Sequence, residues 1–287
     1  MHKDILPIWG KRKAKDITKR DVILLLEAIT KRGAPIGANR TLACIRRMFN
    51  FGIERDLITA SPCTTVKAPS KENRRERSLS AEEIKYFWNQ LDHPMVKMSV
   101  HTKLALKLQL VTAQRKGEII ATEWSEIDCL ANTWTIPSSK AKNGKTHRVP
   151  LSELAINLLA EIKNISGHSR WLFPAPATLK EDVHMTGAAI DHAVRRSKQA
   201  LPELKDFSPH TLRATAATQM ASMRISSDII SRILNHAKKG VTEQHYNQYN
   251  YDDEKQSALN AWSNRLREII EGVHCQSKII PLKKAIA

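Results

Sequence analysis

Apolar residues recur at helical spacing along most of this sequence, and the period changes only once, between residues 123 and 151. Within that stretch, three short strands are favoured, at residues 124–127, 133–136 and 147–151. The pair Asn143-Gly144, between the last two, is typical of a hairpin turn. We therefore predict a mainly α fold with a small antiparallel β-sheet, an α+β arrangement in which the sheet lies inside a helical domain.

Capping residues mark the beginnings of two helices. Thr18 with Asp21 and Ser80 with Glu83 form capping boxes, and Gly33 is expected to end the first helix. A second helix, from about residue 39 to 56, is predicted to bury Leu42, Ile45, Met48, Phe49 and Ile53. Further helices are predicted at about residues 81–91, 97–112, 152–163, 185–200, 210–223, 227–235 and 252–271.

A change in composition divides the chain. Residues 64–79 lack periodicity, contain Pro69 and carry a charged run, which is typical of a linker between domains. We therefore predict a helical domain over residues 1–63, a basic linker over residues 64–79, a second domain over residues 80–272 and a tail over residues 273–287.

The charge is strongly positive and unevenly distributed. The net charge is +17, and residues 1–80 hold 18 Lys and Arg against 8 Asp and Glu. Such an excess favours a nucleic-acid partner over a ribosome-associated or membrane-surface role. The candidate phosphate-binding side chains, whose alternative role is that of an ordinary solvated surface, are Arg40, Arg46 and Arg47 in the second helix and Arg74, Arg75 and Arg77 in the linker.

The four cysteines indicate neither a disulfide framework nor a zinc site. No two of them form a Cys-x-x-Cys pair, and none accompanies a suitable pair of histidines. A reducing cytoplasm fits this pattern. The apolar runs are too short to cross a bilayer, and the first residues lack an apolar signal core. We expect no metal, no cofactor and no membrane association.

Four separate stretches carry residues suited to chemistry. Each has an ordinary structural explanation when taken alone: a surface ion pair, solvated lysines, a helix cap, a buried histidine or a packing aromatic ring. Their ordered occurrence makes a functional interpretation stronger. In chain order the residues are Arg115 with Glu118, then Lys140, Lys142 and Lys145 in the hairpin, then His210 with Arg213, then His236 followed ten residues later by Tyr246.

This order matches the needs of phosphodiester transfer without a metal. A tyrosine can form a phosphoester, and two arginines can bind the non-bridging oxygens with forked hydrogen bonds. A nearby base or cationic field must help the phenol to ionise, and a lysine can protonate the leaving 5′-oxygen. The sequence offers no Asp/Glu cluster for a two-metal alternative.

The same stretches resemble the tyrosine recombinase, or phage integrase, family. The signature comprises the Arg box with its Glu, the hairpin Lys, His-x-x-Arg, Leu-Asn-His and the downstream Tyr, over about residues 15–270. Details such as Val149-Pro150-Leu151-Ser152 and Tyr246-Asn247 resemble integrases of P4-like prophages and genomic islands. The resemblance implies a helical core-binding domain and a catalytic domain, without the family's N-terminal arm-binding domain and first core-binding helix.

The resemblance also implies roles for single residues. Arg115 and Arg213 would bind the scissile phosphate, with Glu118 orienting Arg115. Lys142 would be the general acid, His210 a general acid/base, His236 a phosphate ligand and Tyr246 the nucleophile. Strand alternation puts Lys140 and Lys142 on one face, so only the family pattern selects Lys142. We expect that lysine to be displaced from the site in the protein without DNA.

The implied activity is site-specific recombination of double-stranded DNA through a 3′-phosphotyrosyl intermediate, integrating or excising a prophage or genomic island. A homotetramer on paired sites, DNA-bending accessory proteins and a place at the bacterial nucleoid would accompany it. Two departures from the family are Ala113, where glycine is usual and little damage is expected, and Gln248, where a basic residue is common. The alternatives are DNA relaxation like that of type IB topoisomerases, and an inactive DNA-binding remnant.

Overall fold

The protein divides into two compact units, Met1–Arg75 and Glu76–Ala287. The structure, a computed structural model, describes residues 3–72, 77–176, 182–236 and 249–272. Several predicted features lie outside the described residues: Arg74, Arg75, Tyr246, Gln248 and the tail 273–287. The predicted class, mainly α with a small antiparallel sheet, is confirmed.

The first unit is helical. Its helices are α1 (Leu6–Trp9), α2 (Lys19–Lys31) and α3 (Pro35–Glu54), with a 3-10 turn at Ala14–Asp16. The predicted capping box begins α2, because the Thr18 hydroxyl accepts from the Asp21 N–H and the Asp21 carboxylate accepts from the Thr18 N–H. Gly33, with a φ of +84°, follows the end of α2.

Helix α3 differs from its prediction at both ends. It begins at Pro35 rather than near residue 39, since proline is well suited to a first turn, where its missing N–H costs nothing. Ile53, predicted to be buried, is 38% exposed. Gly52 takes the inward position instead, because Ile58 packs so closely that a Cβ on Gly52 would lie 3.0 Å from Ile58 Cγ1.

The first part of the predicted linker packs against α3. Cys63 and Val66 belong to the core of the first unit, and the Arg46 guanidinium donates to the Val66 carbonyl. The Asn39 side chain donates to the Ser70 carbonyl at 2.7 Å and accepts from the Ser70 N–H at 3.2 Å. The chain after residue 63 is therefore held by the first unit rather than free of it.

The second unit is built around one buried helix. Ten of the thirteen residues of α5 are buried, and the Trp262 indole of the last helix donates to the Leu110 carbonyl of α5 at 3.0 Å. The predicted Ser80–Glu83 capping box begins the first helix. No helix in the described parts of the chain is long and apolar enough to cross a membrane. The helices are α4 (Ala81–Gln90), α5 (Val100–Thr112), α6 (Lys116–Ile120), α7 (Glu153–Ser166), α8 (Gly187–Arg196), α9 (Pro209–Ser222), α10 (Ser227–Ile233) and α11 (Asp252–Glu271).

A three-stranded antiparallel sheet interrupts these helices, in the order β1 (Ile127–Asp128), β2 (Thr133–Ile136) and β3 (His147–Pro150). The predicted first strand is shorter than expected, because Trp124–Glu126 forms a 3-10 turn. Ile136 pairs with His147, so the β2–β3 connection is the whole of residues 137–146, which we call the lysine loop. Asn143-Gly144 lies within this loop, with Gly144 at a φ of +67°, but does not form a two-residue hairpin turn.

Candidate active site

The end of helix α10 forms the centre of the site. The His236 N–H donates to the Ser231 carbonyl and the Asn235 N–H to the Arg232 carbonyl, both at 3.0 Å, which is a Schellman motif. Such a motif needs a left-handed residue, and Asn235 supplies it with a φ of +47°. These two bonds use the carbonyls of Ser231 and Arg232 and not those of residues 233, 234 and 235. We call residues 233–236 the carbonyl turn.

Side chains from three distant stretches donate to these carbonyls. Both predicted phosphate-binding arginines are among them, although the two lie 98 positions apart in the sequence. The bonds join Ile233 O to Gln114 Nε2 at 2.9 Å and to His147 Nε2 at 3.1 Å, Leu234 O to Arg213 Nη2, and Asn235 O to Arg115 Nη2 at 3.2 Å. The fold therefore brings Arg115 and Arg213 to one turn.

Arg115 is bound to Glu118 by two hydrogen bonds. It precedes α6, where Glu118 Oε1 accepts from Arg115 Nη1 at 2.8 Å and Oε2 accepts from the Arg115 N–H at 3.0 Å. The Glu118 side chain is only 3% exposed, so this is not a surface ion pair. Removing one partner of a buried pair leaves an uncompensated charge, at a typical cost of about 3–5 kcal/mol.

Arg213 is the more deeply buried arginine. Besides its bond to the carbonyl turn, its Nη1 donates to the Ala113 carbonyl at 2.8 Å. Burial, and next the positive charge of Arg115, lower the pKa of Arg213 to about 10, while Glu118 opposes the shift. Arg213 still carries its charge at neutral pH. Two like charges held close together with one carboxylate favour an anion between them.

Ala113 occupies a position where glycine would be less strained. It ends α5 with a φ of +58°, and its N–H donates to the Gln109 carbonyl. A left-handed conformation costs a residue with a Cβ roughly 1–2 kcal/mol. The Ala113 carbonyl nevertheless accepts from Arg213 Nη1, so the strained position still contributes to holding that arginine.

The two histidines predicted to be catalytic lie at helix ends. His210 is the second residue of α9, one turn before Arg213, and it is exposed. Ser208 and Thr211 form the cap of that helix, so the His210 side chain is not needed as a cap. His236 is exposed at the end of the carbonyl turn. Both are thus accessible at elements that also hold the arginines.

The three lysines of the lysine loop have different surroundings. Lys140 Nζ donates to the Ala121 carbonyl at 2.7 Å, pairs with Glu123 at 3.0 Å and with Glu126, and lies 5.0 Å from the Trp171 ring centroid. Lys142 and Lys145 are exposed, and within the described ranges the ammonium group of neither lysine forms an ion pair or a hydrogen bond. Lys140 therefore anchors the lysine loop. Strand alternation left both Lys140 and Lys142 open as the general acid, and these surroundings favour Lys142.

The competitors of Tyr246 have other surroundings. The rings of Tyr249 and Tyr251 pack edge to face with centroids 4.7 Å apart, and the Arg232 guanidinium lies 3.6 Å from the Tyr251 centroid. The carboxylates of Glu254, first, and Asp253 contribute to raising the pKa of Tyr249. A phenol with a raised pKa is ionised to a smaller extent at neutral pH.

His147 is a site residue that the sequence patterns did not reveal as functional. It is 7% exposed on β3, and burial, and next the charge of Lys255, lower its pKa to about 4. Because the Ile233 carbonyl can only accept, His147 is neutral with its proton on Nε2. A histidine at an inward strand position beside Val149 is the signal that could have indicated it.

The buried His147 predicts a pH dependence of stability. The unfolded chain binds the proton with a pKa of 6.5 and the folded chain with a pKa of about 4. The unfolded state therefore holds more protons in between, so stability falls as the pH drops from 6.5 to 4, by roughly 3 kcal/mol in total. Denaturant unfolding followed by tryptophan fluorescence measures this loss.

A His147→Gln variant is the control, since glutamine keeps an N–H donor but does not titrate. The free energy of unfolding of His147→Gln should not show the part of the decrease between pH 6.5 and 4 that comes from protonation of His147. Parallel curves for the wild type and His147→Gln between pH 6.5 and 4 would contradict the assignment of the effect to His147.

The arginines predicted to bind DNA differ in how far their side chains already bind other groups of the protein. Arg40 pairs with Glu72 at 3.1 Å but remains 75% exposed, and Arg46 holds the Val66 carbonyl. Arg77 pairs with Glu83 of the α4 capping box at 2.7 Å. Arg47 is exposed, without an ion pair to any of the described residues. Within the same residues, no cluster of three or more His, Cys, Asp or Glu could hold a metal ion.

Comparisons with known proteins agree with this geometry. The phage integrase family profile matches residues 77–253, and the phage integrase central domain profile matches residues 1–69. The chain is 30% identical over 275 residues to prophage integrase IntZ of Escherichia coli K12, covering 95% of this chain and 65% of IntZ. It is 22% identical over 280 residues to the integrase of Enterobacteria phage P4, covering 91% of this chain and 62% of that protein.

A solved structure shows the same fold. It is a lambda integrase tetramer bound to a Holliday junction, with a TM-score of 0.62 and 19% identity, covering 82% of this chain and 67% of that one. The chain thus spans somewhat less than two thirds of the length of these two relatives, IntZ and the P4 integrase. On the match of its profile, the order of its motifs and the meeting of Arg115 and Arg213, the chain belongs to the phage integrase family of tyrosine recombinases.

Proposed function

We propose that this chain is the DNA-cleaving and DNA-rejoining part of a site-specific recombinase that integrates or excises a prophage or genomic island. The observation that carries the proposal is the meeting of Arg115 and Arg213 at the carbonyl turn. A turn that collects two guanidinium groups beside a single carboxylate is suited to one phosphate. The P4-like relatives agree with this reading.

The two arginines can bind a phosphate while keeping their hydrogen bonds within the protein. A guanidinium has five N–H donors, and each arginine uses one at Nη1 and one at Nη2 for Glu118 or carbonyl oxygens. The remaining donors bind the non-bridging oxygens of the scissile phosphate. Because the carbonyl bonds hold both groups beforehand, little reorganisation accompanies the development of charge in the transition state.

The transfer step conserves every atom. The Tyr246 hydroxyl oxygen attacks the phosphorus, its proton passes to a base for which His210 is the candidate, and the phosphorus–O5′ bond breaks. Lys142 donates a proton to O5′, which leaves as a hydroxyl group, and the 3′-phosphotyrosyl bond remains. His236 contributes a further bond to the phosphate. Attack by a 5′-hydroxyl of another strand reverses the step and rejoins DNA.

The two units take different tasks in this proposal. The first unit, with the segment to residue 72 packed on it, is the core-binding domain, and its exposed Arg40 and Arg47 contact phosphates, with Arg74 and Arg75 in the connection. The second unit is the catalytic domain. The active assembly is a homotetramer on two DNA sites at the bacterial nucleoid, with DNA-bending accessory proteins. The tetrameric lambda integrase structure is in keeping with this assembly.

Cleavage is expected to proceed without a divalent metal. The protein is incubated with supercoiled plasmid carrying the direct repeats that flank its encoding element, in EDTA, and covalent protein–DNA adducts are trapped by denaturation. Adducts and recombinant plasmids together support the proposal. Relaxation without recombinants indicates a topoisomerase, binding without adducts an inactive remnant, and adducts that form only with magnesium a different mechanism.

A further inference from the structure

The lysine loop is fastened on both sides of Lys142. On one side, Lys140 is bound by Ala121, Glu123 and Glu126. On the other side, the Asn143 side chain donates from Nδ2 to Asn235 Oδ1 at 2.7 Å. The loop is therefore attached to the carbonyl turn through Asn143, while the side chain of the neighbouring Lys142 is exposed.

The direction of the Asn143–Asn235 bond follows from a neighbouring bond. The Lys145 backbone N–H, which can only donate, points to Asn143 Oδ1 at 3.1 Å. Asn143 must therefore turn its NH₂ group toward Asn235, which presents its oxygen. Asn235 Nδ2 is buried and has no hydrogen-bond partner among the described residues, so the side chain is held through its Oδ1 atom.

The backbone at Asn235 is in the left-handed conformation. Its φ of +47° would be least strained with glycine, and asparagine is tolerated there because its side chain can bond locally. Here, however, the side chain bonds to a residue 92 positions away rather than to its own turn. Asparagine is more strained than glycine at this position, and its side chain binds the lysine loop. We therefore infer that Asn235 serves to hold that loop.

We propose that Asn143 and Asn235 are positioning residues, which hold Lys142 near the phosphate bound at the carbonyl turn. The inference rests on the proposed function. Lys142 lies next to Asn143, and the fixed Lys140 lies two residues earlier, so the loop has little freedom at the lysine. The same turn then positions both the arginines and the proton donor. Misplacement of a reacting group by about 1 Å can cost about 100-fold in rate.

The test uses Asn143→Ala, Asn235→Gly and the double variant. Asn235→Gly removes the side chain while keeping the left-handed backbone favourable, so the fold is preserved. Asn132→Gly is the matched control, since Asn132 also has a positive φ, of +48°, and is exposed on the β1–β2 connection. Cleavage rates are measured on normal DNA and on DNA whose bridging 5′-oxygen is replaced by sulfur, a leaving group that needs no proton.

On normal DNA, each variant is expected to lose about 10- to 100-fold in cleavage rate, and the double variant no more than the worse single one. On the sulfur substrate the losses should vanish, and Asn132→Gly should match the wild type on both. Equal losses on the two substrates, or additive losses in the double variant, overturn the proposal, because a general structural defect would not respond to the leaving group.

A second measurement does not depend on cleavage. Backbone hydrogen exchange in residues 138–146 should become faster in Asn143→Ala and Asn235→Gly, and remain unchanged in Asn132→Gly. Unchanged exchange in the first two variants overturns the attachment itself. If the wild type forms no adducts on either substrate, the proposed function fails, while the exchange result still decides whether the two asparagines hold the loop.

Discussion

Replacing Tyr246 by phenylalanine is expected to abolish covalent protein–DNA adducts while leaving DNA binding and folding unchanged. Phenylalanine keeps the ring but removes the hydroxyl oxygen that would attack the phosphorus. The position follows from its spacing after His236, whereas the Tyr249 ring packs against that of Tyr251. Denaturing gels with end-labelled DNA measure the adduct, and gel shifts measure binding.

Tyr249→Phe is the matched control, because it makes the same chemical change three residues further along the chain. It is expected to retain adduct formation. Its ring still packs against Tyr251 after the change, so the local structure should be kept. Adducts that persist in Tyr246→Phe and disappear in Tyr249→Phe would reassign the nucleophile.

Changing either Arg115 or Arg213 to lysine is expected to reduce cleavage about 10²- to 10³-fold, which corresponds to roughly 3–4 kcal/mol in the transition state. Lysine keeps the charge but lacks the planar fork that holds a carbonyl and a phosphate oxygen together. Arg213 donates to the carbonyls of Ala113 and Leu234 and Arg115 to that of Asn235, so the effect includes loss of their orientation. Single-turnover cleavage with saturating protein separates this loss from weaker binding.

Arg265→Lys provides the control for a general effect of the substitution. Arg265 lies on α11 in a half-exposed pair with Glu268 at 3.0 Å, so its replacement should leave cleavage unchanged. Denaturant unfolding of each variant shows whether the second unit is still folded. A folded Arg213→Lys protein with near-native cleavage is incompatible with the proposed binding of the phosphate.

Local determinants explain why many elements could be predicted. The capping boxes at Thr18 and Ser80 act through residues three positions away, and helical periodicity depends only on near neighbours. The predicted burial of Ile53 was wrong because Gly52 and Ile58 pack together. Helical periodicity cannot reveal such a contact with a residue beyond the helix. Asn143-Gly144 predicted a hairpin correctly but not the length of its loop, which the register of β2 with β3 sets.

The sequence by itself determined the family and the fold class and predicted the catalytic residues, because residue types in a fixed order reflect what the chemistry requires. Only the tertiary structure decided that Arg115 and Arg213 share a turn, since the two arginines and the carbonyl turn come from separate parts of the chain. It also distinguished Lys140 from Lys142. Alternation along a strand assigns a face, whereas burial and hydrogen-bond partners depend on what the rest of the chain places against that face.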